Sequence, residues 1–321
     1  MNEHKTPHPT ISLIIPTYNR AETLRRTFAF LAKAEEGPEE VIVVDQSRDE
    51  AVAGEIRALC EGAPFAARYV FQAVASSTMA RNRGMDEAGS DVLLFMDDDV
   101  DVAPGTFRQL RLLFADGQLA LAGGLDKQTE YTNSLAGYFF GKSSWRKRGI
   151  GHVTSGMYGR FPLRCGEQTP TEWAMGFFFA VRRSCVERWR LRFDEHFSSY
   201  AYAEDLAFTA EFCRRARQEG LRCVMSSLLV VDHRYSQEFR VPSSRATLMM
   251  VLHRAYIRHR LFPGSLWRAA MVHWSNMGDF VLRLCRRQRP ADVVRAELFY
   301  WRHRRSVLRG DFRYDEFLKK A

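Results

Sequence analysis

The stretch Val92-Leu93-Leu94-Phe95-Met96-Asp97-Asp98-Asp99-Val100 decides the reading of this chain. Five apolar residues stop abruptly at three consecutive acids. The apolar run has the composition of a strand buried on both faces, as in a parallel sheet. Three adjacent carboxylates repel one another and cannot be buried without a positive partner. A divalent, oxygen-preferring cation such as Mg2+ or Mn2+ suits that set. An acidic turn leading into a helix is the plainer alternative, because Pro104 follows and fits a first helical turn.

Working outward, strand-like and helix-like patterns alternate. Ile11 to Ile15 is an apolar run ending at Pro16. Ala21 to Ala34 has helical spacing, with Leu24, Phe28 and Leu31 on one side. Val41 to Val44 reads as a strand ending at Asp45, Glu50 to Cys60 as a helix and Tyr69 to Phe71 as a strand. Ser76 to Ala88 reads as a helix and Asp91 to Met96 as the next strand. This alternation predicts an α/β fold with a parallel sheet flanked by helices. Ligands in such sheets bind outside the carboxyl ends of the strands. Pro16 to Asn19, Asp45 and Asp97 to Asp99 all follow strand ends. From Leu125 to Thr171 the periodicity fades and long loops are expected. Trp173 to Val181 reads as a strand, Glu204 to Glu219 as a helix ending at Gly220, and Val230 and Val231 as the end of a last short strand before Asp232-His233.

The 321 residues, 46% of them hydrophobic, are enough for a large core. The six cysteines form no CxxC pair, which argues against a zinc site or disulfide framework and for a reducing compartment. The N-terminus is polar and does not read as a signal peptide, and no apolar run is long enough to span a bilayer. The net charge of +9 is unevenly spread. Arg240 to Ala321 carries 18 Lys/Arg against 6 Asp/Glu, leaving 29 against 32 for the rest. A basic tail on a slightly acidic body implies an anionic partner.

The ordered blocks carry a family resemblance. Ile14-Ile15-Pro16-Thr17-Tyr18-Asn19-Arg20 comes first, then Val43-Val44-Asp45 and Ala80-Arg81-Asn82-Arg83-Gly84. Asp97-Asp98-Asp99, Glu204-Asp205 and His233 follow. Over roughly residues 10 to 235 the chain resembles family 2 glycosyltransferases of the GT-A fold, a Rossmann-like, mostly parallel sheet flanked by helices. The resemblance implies an inverting, metal-dependent transfer of a sugar from a nucleotide-sugar donor to a hydroxyl of a glycan or lipid-linked glycan. Surface polysaccharide assembly is the implied setting, with uridine as the base and thymidine second. Pro16, Thr17, Tyr18, Asn19, Asp45 and Arg81 are then expected around the nucleotide, with Asp97 and Asp98 on its ribose or on metal-bound water. Asp99, Asp97 and His233 are the expected ligands of Mn2+ or Mg2+. Asp205 is the expected general base, with Glu204 beside it. Trp173, Gly176 and Glu204 are expected on the acceptor side, although a buried core Trp reads equally well. Asp45-Gln46-Ser47 departs from the commoner Asp-Asp-Gly-Ser form.

Residues 10–240 are expected to form the catalytic domain, nucleotide half to about 125 and acceptor half beyond it. Residues 241–321 are expected as a basic, amphipathic helical extension. Leu248 to Leu261 and Leu266 to Leu284 interleave apolar and basic residues, and Trp267, Trp274 and Phe280 sit at the boundary. Such helices suit the surface of an anionic membrane, on its cytoplasmic face, with arginines toward the headgroups. Packing on the catalytic domain is the alternative. No nucleic-acid motif accompanies the charge, so nucleic acid is not an expected partner. Oligomerisation is left open. A non-catalytic nucleotide- or membrane-binding protein of the same fold, and a sugar nucleotidyltransferase, are the competing classes. The second lacks its usual Gly-rich phosphate loop, because Pro-Thr-Tyr-Asn follows the first strand.

Overall fold

A computed structural model describes residues 8–128, 134–197, 202–235 and 243–318. The first part runs β1 (Ile11–Thr17), α1 (Ala21–Leu31), β2 (Glu40–Asp45), α2 (Glu50–Glu61), β3 (Ala67–Phe71), α3 (Ser77–Glu87) and β4 (Val92–Met96). Then come β5 (Val100–Asp101), α4 (Thr106–Phe114), β6 (Leu119–Asp126), α5 (Leu135–Phe139), β7 (His152–Val153), β8 (Gly159–Arg160) and β9 (Thr169–Pro170). Next are β10 (Phe178–Arg182), α6 (Arg183–Trp189), α7 (Glu204–Gln218) and β11 (Arg222–His233). Helices α8 (Ser243–Leu261), α9 (Leu266–Cys285), α10 (Ala291–Val307) and α11 (Tyr314–Leu318) follow.

The main sheet has the order β3-β2-β1-β4-β10-β6-β11-β5, with β9 beside β11. Strands β1 to β4 pair in parallel, as do β6 and β11. Strand β10 is antiparallel to both neighbours, β4 and β6. All five residues of β4 are buried, which explains its unbroken apolar run. Helix α1 buries the expected Leu24, Phe28 and Leu31. Helix α3 lies close on β1 because Gly84 has no side chain. A Cβ there would come 2.3 Å from Ile14 Cγ2.

Three expectations differ from what forms. Of Trp173 to Val181 only the end is strand. The backbone N–H of Gly176 donates to the Asp205 carboxylate instead of to a strand neighbour. The last strand, expected to be short and to end at Val230-Val231, has 12 residues and runs on to His233, with a register shift between Met225 and Val230. The third concerns Leu248 to Leu261. Its basic residues suggest a solvated face, yet Leu248, Met249, Leu252, His253, Arg254, Tyr256 and Ile257 are each at most 2% exposed. Helix α8 is therefore an interior helix, not an amphipathic surface helix. His253 and Arg254 find internal partners. The His253 imidazole donates from Nδ1 to the Tyr202 carbonyl at 2.6 Å and accepts at Nε2 from the Tyr314 hydroxyl.

Burial pushes the pKa of His253 from 6.5 down to about 4. As pH falls below 6.5 the unfolded chain takes up this proton and the folded chain does not. The stability tied to neutral His253 is thus whole above pH 6.5 and lost progressively toward pH 4. Between pH 7 and pH 5 the loss is about 2 kcal/mol. Urea unfolding at the two pH values should show a smaller drop for His253→Gln than for wild type. Equal drops would place the acid sensitivity elsewhere.

Candidate active site

The acids after β4 are held by three different sets of partners. Asp97 receives an ion pair from Arg81 Nη2 at 3.0 Å, and the other arm of Arg81 reaches Glu204 Oε1 at 2.9 Å. Asp98 accepts from the Thr17 hydroxyl at 2.7 Å and from Arg20 Nη1 at 3.0 Å. Burial nevertheless raises its pKa to about 6, against the pull of Arg20 and Thr17. Asp99 lies 3.1 Å from His233 Nε2 and 3.9 Å from Arg20.

The contact with His233 is a product of topology. Strand β5 returns antiparallel along the end of β11 and pairs Val100 with His233, one residue past Asp99. The imidazole packs against Phe177 and Tyr235, at centroid distances of 5.1 and 4.1 Å. Burial would lower its pKa, but its hydrogen bond to Asp99 and the charges of Asp97 and Asp99 raise it. Asp97, Asp99 and His233 each offer one ligand atom, and these atoms lie within 4.8 Å of one another. His233 Nδ1 is buried without a hydrogen-bond partner among the described residues, so the ring is not locked into a second contact. Two carboxylates and an imidazole form a donor set that fits Mn2+ or Mg2+.

A second carboxylate group faces these acids. Asp205 is the second residue of α7, which Glu204 begins after Ala203, whose φ of 65° turns the chain into the helix. Its Oδ2 accepts from Gly176 N at 2.7 Å and its Oδ1 from Leu206 N at 2.7 Å. A Cβ on Gly176 would sit 3.1 Å from Asp205 Cβ and 3.2 Å from Arg81. Gly176 therefore acts through Asp205 and Arg81, by letting both approach. Burial raises the pKa of Glu204 first, and the charge of Asp205 adds to this. Arg81 offsets only part of it.

One cavity of about 740 Å3 gathers most of the expected residues: Pro16, Thr17, Tyr18, Arg81, Asp97, Asp98, Asp99, Trp173, Gly176, Glu204, Asp205 and His233. Asn19 and Asp45 do not line it. Asp45 is fully buried, and its carboxylate is used by Ser47 N, Ser47 Oγ and the Tyr69 hydroxyl. Asn19 is tied to Ser47 and Arg48, so both residues shape the loop from behind. Gln46 and Arg48 stand on the lining instead. Trp173 offers little face for stacking. It is 4% exposed, Gly159 packs on its ring, and its indole N–H donates to the Arg160 carbonyl at 3.0 Å. Arg20, Tyr158, Arg160 and Tyr202 also line the cavity without having been singled out. Arg20 directly follows the Pro-Thr-Tyr-Asn block and was legible there. Tyr158 and Arg160 lie in the aperiodic stretch from Leu125 to Thr171, which carries no signal for them.

The model of Glycosyl transferase family 2 matches residues 12–189. The chain belongs to this family. No curated protein sequence matches this glycosyltransferase. Among solved structures, a mannosyltransferase from Pyrobaculum calidifontis in complex with GDP-Man and Mn2+ is similar at a TM-score of 0.58. It shares 14% identity over 91% of this chain and 87% of its own. GalNAc-T7 with UDP, GalNAc and Mn2+ follows at 0.53, with 16% identity over 85% of this chain and 55% of that one. TarS residues 1–349 from S. aureus, at 0.51, shares 15% identity over 97% and 91% of the two chains. At such identities the likeness establishes the GT-A fold of the glycosyltransferase.

Arg81 pairs with both Asp97 and Glu204, and it is 4% exposed. Removing one member of a buried charge pair costs about 3–5 kcal/mol. Arg81→Gln should lose about that much in urea unfolding without metal. Adding Glu204→Gln should return part of the loss. Strict additivity of the two substitutions would show that the pair is not coupled.

Proposed function

We propose that this glycosyltransferase moves a sugar, with inversion, from a UDP-sugar to a hydroxyl of a glycan or lipid-linked glycan in surface polysaccharide assembly. The observation that carries the reading is the convergence of Asp97, Asp99 and His233 with Asp205 on one cavity at the strand ends. Two of the similar structures hold a nucleotide with Mn2+, and TarS has also been solved with UDP-GlcNAc. A metal ion held by Asp97, Asp99 and His233 would supply Lewis-acid stabilisation of the departing diphosphate.

The protein's own groups do the rest. Thr17 and Arg20 hold Asp98 at the end of β1, where the nucleoside is expected, and Gln46 and Arg48 border the same side. Asp205 is oriented by two backbone N–H groups and takes the proton of the acceptor hydroxyl as it attacks the anomeric carbon. A sugar hydroxyl is too weak an acid to ionise beforehand, so proton removal accompanies attack. Displacement from the face opposite the leaving diphosphate inverts the anomeric centre. The non-catalytic alternative gives no reason for a carboxylate held as Asp205 is held.

Residues 10–240 are taken as the catalytic part and 241–321 as the membrane-facing part. Among the described residues no helix is long and apolar enough to cross a membrane. An apolar surface is present nonetheless. Trp267 is 70% exposed, Leu298 66%, Trp301 55% and Met277 50%. Trp274 rests on Phe139 at a centroid distance of 5.3 Å and extends this surface to α5. Arg286, Arg287 and Arg289 are exposed just past α9. Phe280 is half-buried and contributes less than its sequence position suggests. Aromatics beside arginines suit peripheral attachment to an anionic bilayer, on the cytoplasmic side.

Two outcomes are expected. Asp205→Asn should lower sugar transfer from a UDP-sugar about 10²- to 10⁴-fold while UDP and Mn2+ still bind. Transfer at the wild-type rate would remove Asp205 from the chemistry. Vesicles rich in anionic lipid should co-sediment the wild-type protein at low salt and release it as salt rises, since charges are screened beyond about 10 Å at 0.1 M. Replacing Arg286, Arg287 and Arg289 by Gln should weaken this binding. Indifference of the wild type to anionic vesicles would exclude the membrane role.

A further inference from the structure

One part of the cavity wall carries positive charge that the protein does not neutralise. The hairpin of β7 and β8 brings Tyr158, Gly159 and Arg160 onto this wall. Arg160 donates from Nε to the Lys142 carbonyl at 2.5 Å, and its guanidinium lies over the Tyr158 ring at 5.4 Å. Among the described residues no carboxylate comes within 4.0 Å of it. Lys142 and Arg254 stand behind. Lys142 Nζ binds Asp279, and Arg254 Nη2 lies 3.5 Å from the same carboxylate. Arg254 is wholly buried and sits over the Tyr158 ring at 4.1 Å. The Tyr158 hydroxyl also donates to Asp279, at 2.6 Å.

Lys142 and Arg254 thus share one carboxylate, and Arg160, the cation in front of them on the cavity lining, has none within 4.0 Å among the described residues. Charges held out of water are costly unless paired. The frame is too well built for the excess to be incidental. Arg254 is fixed by the Gly156 carbonyl at 3.1 Å and Ser275 Oγ at 2.8 Å, so α8 and α9 hold the hairpin from below. The hairpin is joined to the Asp205 side of the cavity, because the Arg160 carbonyl accepts from the Trp173 indole N–H at 3.0 Å and Gly176, three residues on, donates to Asp205 at 2.7 Å.

We propose that Arg160 forms an acceptor subsite for an oxyanion, the carboxylate of a uronic acid or the phosphate of a phosphorylated sugar. A planar guanidinium pairs two N–H groups with either anion. Tyr158 and Tyr202 beside it supply ring surface for the sugar. The inference rests on the glycosyltransferase reading and adds the chemical class of acceptor.

Calorimetric titration in the presence of UDP and Mn2+ tests it with three probes: methyl β-D-glucuronide, glucose 6-phosphate and neutral methyl β-D-glucoside. Wild type should bind one of the two anionic sugars about 10- to 100-fold more tightly than the glucoside, and the favoured arm identifies the anion. Arg160→Gln should abolish the preference, and Arg160→Lys should keep part of it. Equal binding of all three sugars by wild type, or of none while UDP and Mn2+ bind, overturns the subsite. So does a preference that survives Arg160→Gln. Failure of UDP and Mn2+ to bind wild type would instead strike the nucleotide-sugar reading itself.

Discussion

The electrostatic repulsion among Asp97, Asp98 and Asp99 is the constraint on which the rest of the structure depends. Buried carboxylates at adjacent positions are tolerated only where each has its own compensation. Here the compensation comes from distant parts of the chain. Arg81 arrives on α3, which can lie against β1 because Gly84 leaves room for Ile14. Thr17 and Arg20 come from the end of β1. His233 comes from the end of β11 through the short β5 pairing. Folding the sheet and assembling the acidic centre are therefore one event. A cation that Asp97, Asp99 and His233 can share completes the same neutralisation.

The C-terminal helices are part of this construction. Residues of α8 and α10 share one hydrophobic core with the sheet strands. Arg254 carries that core's order outward to the hairpin bearing Tyr158 and Arg160. Helices α9 and α10 turn their remaining apolar surface outward, where Trp267, Leu298 and Trp301 are exposed. One segment thus steadies the hairpin wall of the cavity with one face and exposes aromatic surface with the other.

The parallel half of the fold was legible because a buried parallel strand writes itself as an unbroken apolar run, as Val92 to Met96 does. The end of such a run points to a binding edge, so the three acids and Pro16 to Tyr18 were legible with it. The family resemblance added Glu204-Asp205 and His233 as a set. Long-range pairing was not legible. Nothing local joins His233 to Val100, or Gly176 to Asp205. The charge pattern of α8 misled because His253 and Arg254 look solvent-facing until their partners at Tyr202, Gly156, Ser275 and Tyr314 are known. Asp45 follows a strand end like the others, but Ser47 and Tyr69 use its carboxylate and leave the cavity to Gln46 and Arg48.

The most direct measurement is the free Mn2+ signal in electron paramagnetic resonance during titration with the protein, with and without UDP. One Mn2+ should bind per chain, more tightly when UDP is present, and Asp99→Ala should remove the site while the protein stays folded. UDP binding of equal strength in excess chelator and in Mn2+, or undiminished Mn2+ uptake by Asp99→Ala, would contradict a metal held at the end of β4.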